Sequence, residues 1–186
     1  MLERLTNQEL IQIMNKKELS DGLIRYNYIQ DNLHKVNVME DIIFQDIFIR
    51  FYQVQVHKFR GIKECIFRIL EENKNNKDIK FEYVLRELYR ATGTIQPSYA
   101  SKIVATINTD KAVIDSWVYK NLGLVRKYGT DNITYTIDQY YQVNNMLNEI
   151  LKIDRSKYIV DIFDAYFNHN NLTDIKKLDL IIWQWR

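Results

Sequence analysis

Apolar residues recur along this chain at intervals of three and four, the spacing that gathers them onto one face of an α-helix. In TNQELIQIMNKKEL, Thr6 stands as a cap, and Leu10, Ile11 and Met14 fall on one face. SDGLIRYNYIQDNLHKV repeats the pattern from Ser20, with Leu23, Tyr26, Ile29 and Leu33. MEDIIFQDIFIRFYQVQV is apolar on nearly every side, and its Ile42, Ile43, Phe44, Ile47, Phe48, Phe51 and Tyr52 predict a central buried helix. Its β-branched residues leave a strand open for its end, but its length and the acidic start at Glu40 and Asp41 favour helix.

GIKECIFRILEENKNN reads as a further helix that runs out into the solvated stretch ENKNNKD. FEYVLRELYRATG puts Phe81, Val84, Leu85, Leu88 and Tyr89 on one face and stops at Gly93, a C-cap. Two short helices follow, one from about Ser98 through Ile107 and one opened by Asp115. VRKYGTDNITYTI has a Gly-Thr-Asp-Asn turn and an alternation around Tyr135, compatible with a small hairpin or with a loop leading into a helix. DQYYQVNNMLNEILK is amphipathic. DRSKYIVDIFDAYFNHN and LTDIKKLDLIIWQWR close the chain as two more helices, capped by Asp154 and Thr173, with Trp183 and Trp185 expected to anchor the last one. The pattern predicts an all-α protein of about ten helices, with short connections that make sequential helices antiparallel neighbours.

Composition agrees with this. A chain of 186 residues with five glycines and a single proline, Pro97, lacks the turn residues an all-β fold consumes. The length suits one helical unit, or two small lobes sharing a core. Cys65 is alone, which excludes an intrachain disulfide and a cysteine-based zinc or iron–sulfur site; it is expected in the core. His34, His57 and His169 show no metal-ligand spacing, so neither metal nor cofactor is implied. MLERLTNQEL lacks the apolar centre of a signal peptide, and no apolar run approaches the roughly 18 residues a membrane span needs, so a cytoplasmic protein without membrane contact is expected. The net charge of +2 does not announce a nucleic-acid partner; only local clustering could. The thirteen tyrosines suit half-buried faces and base-stacking surfaces alike.

Chemistry concentrates between Leu88 and Leu124. A helix ends at Gly93, TIQP makes a tight link, a second helix follows, and NTDKAV leads through IDSWV to NLGL. Over roughly forty residues this order resembles the core of the helix-hairpin-helix (HhH-GPD) DNA glycosylase superfamily, a motif match rather than a whole-chain one. In that family a helix, a Gly-hydrophobe-Gly hairpin and a second helix grip a DNA backbone, and a loop then presents an aspartate at the start of the next helix. IDSWV and NLGL match the aspartate's setting, and TIQPSYA matches the hairpin.

The resemblance implies an all-α fold in two lobes around a cleft, with residues 38–125 as the central lobe and residues 1–37 plus 126–186 as the second. It implies damaged duplex DNA as the partner and cleavage of the N-glycosidic bond of a damaged base. Exposed backbone N–H groups at a hairpin hold phosphate oxygens without reading sequence. The target base is turned out of the duplex before its sugar bond can be reached. A carboxylate then stabilises the positive charge that builds on the sugar. By resemblance that carboxylate is Asp115, and Thr94, Ile95, Gln96 and Ser98 contact DNA. Bifunctional members carry a lysine where this chain has Ser98; Lys102, one helical turn on, shares its face and becomes the alternative nucleophile or a phosphate contact. Lys111, Lys120, Arg126 and Lys127 add positive charge around it, and Trp117 would wall a base pocket. Thr94 and Gln96 replace the hairpin glycines, which alters how closely a backbone can approach.

Each residue also has a plainer role: Asp115 as an N-cap alone, Lys102 as a solvated charge, Trp117 as core, and Phe48, Phe51 and Tyr52 as core with a lesser claim on the pocket. The alternatives to a glycosylase are a non-enzymatic DNA-binding protein of the same fold, or a helical interaction domain without nucleic acid. The oligomeric state is not encoded in any motif of the chain.

Overall fold

A computed structural model describes residues 2–124, 132–168 and 171–185. Among them there are ten α-helices, a single 3-10 turn at Leu2–Arg4, and no strand. The helices are α1 (Asn7–Met14), α2 (Lys17–Asn32), α3 (Ile42–Tyr52), α4 (Ile62–Asn73), α5 (Phe81–Thr92), α6 (Pro97–Ile107), α7 (Ser116–Asn121), α8 (Ile133–Leu151), α9 (Asp154–Tyr166) and α10 (Asp174–Gln184).

Local chemistry fixes many of the ends. Thr6 and Glu9 form a reciprocal capping box on α1, the Thr6 N–H donating to the Glu9 carboxylate at 2.8 Å and the Glu9 N–H to Oγ1 of Thr6 at 3.2 Å. Asp41 accepts from the Phe44 N–H at 2.7 Å, and Thr173 from the Lys176 N–H at 3.3 Å. Gly93 ends α5 at φ 69°, a left-handed conformation that a residue with a Cβ resists.

Several expectations need correction. Ile11, Ile42, Ile43 and Tyr89 lie on exposed faces. In α1 the buried stripe is Leu10, Ile13 and Met14. In α3 the cap at Asp41 turns the first two residues outward, and burial begins at Phe44. α2 starts at Lys17, three residues before Ser20, and the N-cap of α9 is Ile153, with Asp154 already helical. Tyr135 lies in the first turn of α8, capped by Asn132, so the hairpin alternative does not hold there. Gly129 to Asp131, Arg126, Lys127 and His169 lie outside the described residues.

The core runs through the whole chain. Phe67 of α4 packs edge to face against Phe44 and Phe48 of α3, and Phe81 of α5 stacks on Tyr140 of α8 with ring centroids 3.9 Å apart. Cys65 is buried, as expected. α2 lies along α3; α4, α5 and α6 pack on one another; α10 touches α1, α7, α8 and α9. The end of α3, the start of α6, α7 and α10 thereby meet around one cavity. No helix among the described residues is long and apolar enough to cross a membrane.

Candidate active-site pocket

Asp115 reaches its position through a backbone pinned by side chains distant in sequence. Oγ1 of Thr173, at the start of α10, donates to the Thr109 carbonyl at 2.7 Å. The Ala112 N–H donates to Oδ1 of Asn144 on α8, and the Ile114 N–H to Oγ of Ser101 on α6, each at 3.0 Å. Ser101, Asn144, Ala112 and Ile114 are all buried, so these bonds replace water for groups that would otherwise be left unpaired. The segment emerges at Asp115 in extended conformation, and Oδ1 of Asp115 accepts from the N–H groups of Trp117 and Val118, both at 2.9 Å. Asp115 is therefore the N-cap of α7.

It also faces a cavity of about 330 Å³ shared with Lys102, Trp117, Tyr99, Tyr52 and Asp179. Lys102 points into this space from α6. Its Nζ donates to the Tyr52 carbonyl at 2.7 Å and lies 5.4 Å from the centre of the Tyr99 ring. Burial pushes the amine down to about 8, against the opposing pull of Asp115 and Asp179. The carbonyl of Lys102 is tied to the Thr106 hydroxyl at 2.8 Å, and the hydroxyls of Thr106 and Tyr52 are hydrogen-bonded at 2.9 Å.

The inner wall is an ion pair. Lys176 is 1% exposed, and its Nζ lies 2.9 Å from Oδ2 of Asp179 on the same helix. The rings of Tyr26, Tyr52 and Phe51 surround the ammonium, with centroids at 5.0, 5.9 and 6.0 Å. Burial opposes the charge on Lys176, but Asp179 and the surrounding tyrosines more than offset it, so the ammonium is held above its ordinary range. The amines of Lys102 and Lys176 and the carboxylates of Asp115 and Asp179 thus line one cavity with aromatic walls, and Lys58 joins the lining from the α3–α4 loop. Such a cavity can stack a planar ligand, stabilise positive charge on it through a carboxylate, and offer a poorly solvated amine as nucleophile.

Of the residues singled out in the sequence, Asp115, Lys102, Gln96, Ser98 and Trp117 line this pocket. Thr94 and Ile95 belong to the α5–α6 turn but not to the pocket lining, and the Thr94 hydroxyl accepts from Nε2 of Gln96 at 2.7 Å. Lys111 lines a separate small cleft with Lys77 and Lys80. Lys120 is exposed, its Nζ 4.8 Å from the centre of the Trp117 ring. Phe51 and Tyr52 are both core and lining. Trp183, expected only as an anchor, also lines the pocket.

Sequence reasoning missed Lys176, Asp179 and Ser101. The available signal for the first two was a lysine and an aspartate three apart on an otherwise apolar helix, a spacing at which they can pair. No group of residues suited to hold a metal ion occurs among the described residues. Comparison with known proteins returns no matching family model, no matching curated protein and no matching solved structure.

Proposed function

We propose that this protein is a DNA base-excision glycosylase of the helix-hairpin-helix type, in which the 330 Å³ pocket receives a damaged base turned out of the duplex and Asp115 serves the bond cleavage. The observation that carries the reading is that Asp115 and Lys102 face the same aromatic-walled cavity. Trp117, Tyr99 and Trp183 supply flat apolar surface for a base. As the C1′–N bond breaks, the bonding pair leaves with the base and positive charge builds on the sugar; the Asp115 carboxylate stabilises that charge and water adds at C1′. Lys102, neutral in a large fraction of molecules near pH 8, adds a lyase step. Its amine attacks C1′ of the opened abasic sugar, and loss of water gives an imine. The two-lobed division at residues 38–125 belongs to the same proposal.

A second reading has its own observation. Oδ1 of Asp115 accepts two helix N–H groups, and Thr94 N–H donates to its neighbour Thr92 at 3.3 Å, which leaves the hairpin a poorer phosphate grip. A DNA-binding protein of this fold without catalysis would carry both features.

Borohydride trapping on duplex with an abasic site separates the two. The glycosylase-lyase reading expects a covalent adduct that Lys102→Ala abolishes. Binding to the same duplex without any adduct would remove the lyase step, and the second reading would then stand only if no damaged base is released either.

A further inference from the structure

The cations expected beside the pocket do not all gather there, Lys111 lying in another cleft. A different basic segment borders it. The loop from Gln53 to Gly61 joins α3 to α4, and from Gln53 through Lys63 the sequence QVQVHKFRGIK contains His57, Lys58, Arg60 and Lys63 without one acidic residue. His57, Lys58 and Arg60 are exposed and Lys63 is half-buried.

The loop is held in place. Gln53 turns it at φ 52°, a left-handed value unusual for a residue with a side chain, and the buried Val54 donates its N–H to the Ile49 carbonyl at 3.0 Å. The Gln55 N–H donates to the Tyr99 hydroxyl at 3.1 Å, which ties the loop to α6 beside Lys102. Phe59 packs edge-on against Tyr99 at 6.4 Å, and Lys58 and Phe59 both line the rim of the pocket. Gly61, at φ 78°, opens α4 with no side-chain cap, so the positive end of that helix adds charge of the same sign.

These cations also lack a carboxylate partner, Lys58 resting 5.7 Å from the centre of the Phe59 ring. Among the described residues, no carboxylate lies within 4.0 Å of Lys58, Arg60 or Lys63. On the neighbouring helices, by contrast, Arg68 pairs with Glu72 and Glu87, Arg86 with Glu82, and Arg90 with Glu87.

We propose that the His57–Lys63 segment is a phosphate-contacting rim that holds a nucleic-acid strand across the mouth of the pocket. The inference deepens the functional reading above and rests on it for the nature of the strand. An ordered loop carrying a row of unpaired cations beside an aromatic cavity fits a polyanion whose bases enter that cavity, and it reads backbone rather than sequence. It would take over the grip that the α5–α6 turn, without its glycines, gives less closely.

The experiment is fluorescence anisotropy with a labelled duplex carrying a tetrahydrofuran abasic analogue, across a salt series. It compares the wild type with Lys58→Gln/Arg60→Gln/Lys63→Gln, and with Arg86→Gln/Arg90→Gln as a control at paired arginines. The rim variant is expected to bind at least about tenfold more weakly at about 100 mM salt, and its log–log salt slope should fall in magnitude by about 2–3, while the control changes little. If the triple variant loses its cooperative melt, Arg60→Gln and Lys58→Gln singly should each lower the slope by about 1. Unchanged affinity and slope in the variants, with wild-type binding intact, overturns the rim and leaves the glycosylase reading standing. A lowered slope in the rim variant, with a wild type that releases no base from any lesion, keeps the rim and removes the glycosylase reading. Absence of wild-type binding to duplex and single strand overturns both.

Discussion

Nζ of Lys102 donates to the carbonyl of Tyr52 across 2.7 Å, fastening α6 to the last residue of α3 at the wall of the pocket that holds Asp115. One contact thus joins two helices and sets the surroundings of the amine. It holds the amine in a fixed place, away from bulk water, where its protonation depends on burial.

That burial gives a pH prediction. The Lys102 amine falls to about 8 from an ordinary 10.5, so the unfolded chain binds this proton more tightly than the folded one. Its charge therefore opposes folding below pH 8, and stability is regained as pH rises from about 8 to 10.5. The full span is on the order of 3 kcal/mol. Relative to Lys102→Met, the wild type should be at its greatest disadvantage at pH 6–7 and should recover by pH 10, as urea-unfolding midpoints would read. Equal pH dependence in both proteins would contradict this. Imine trapping on abasic DNA should rise with pH through the same midpoint.

Ser101→Ala leaves the buried Ile114 N–H without its 3.0 Å acceptor. A loss of about 1–3 kcal/mol is expected. Because Ile114 precedes Asp115, activity should fall beyond what the lost stability explains. A variant with wild-type unfolding midpoint and wild-type activity would show that the serine neither braces the segment nor positions the carboxylate.

The Lys176–Asp179 pair should behave as a unit. Lys176→Met strands Asp179, a carboxylate only 5% exposed, and should cost about 3–5 kcal/mol. Lys176→Met/Asp179→Leu should recover much of that loss, since an apolar pair of similar volume needs no charge compensation. A double variant as unstable as the sum of the singles would refute this coupling.

How much of this was legible in the sequence depended on the range of the interactions. Thr6, Asp41, Gly93, Asp115 and Thr173 act within one helical turn, and each was found at the helix end where it was read or beside it. The buried faces were less certain at helix starts, since Ile42 and Ile43 are apolar yet exposed in the first turn of α3. Ser101 and Asn144 could not be singled out, because their bonds reach Ile114 and Ala112, 13 and 32 residues away. The same limit separates Lys102 from Lys111. Both are lysines near Asp115 in sequence, but α6 turns one into the pocket, and the other faces Lys77 and Lys80.

Asp115 has two duties that substitution can part. Asp115→Asn and Asp115→Ser retain an N-cap acceptor and should melt within about 0.5 kcal/mol of the wild type, whereas Asp115→Ala should lose about 1 kcal/mol from the start of α7. Thermal unfolding of the three variants reads this directly. Equal destabilisation by all three would mean that the carboxylate charge, not the cap geometry, holds α7.

The most direct test of the account is single-turnover base release from a panel of lesion-bearing duplexes, comparing wild type with Asp115→Asn. The wild type is expected to release at least one damaged base, and the variant to do so about 100- to 1,000-fold more slowly with its fold intact. Release by the variant at the wild-type rate would contradict a role for the Asp115 carboxylate, and no release by the wild type from any lesion would contradict the glycosylase itself.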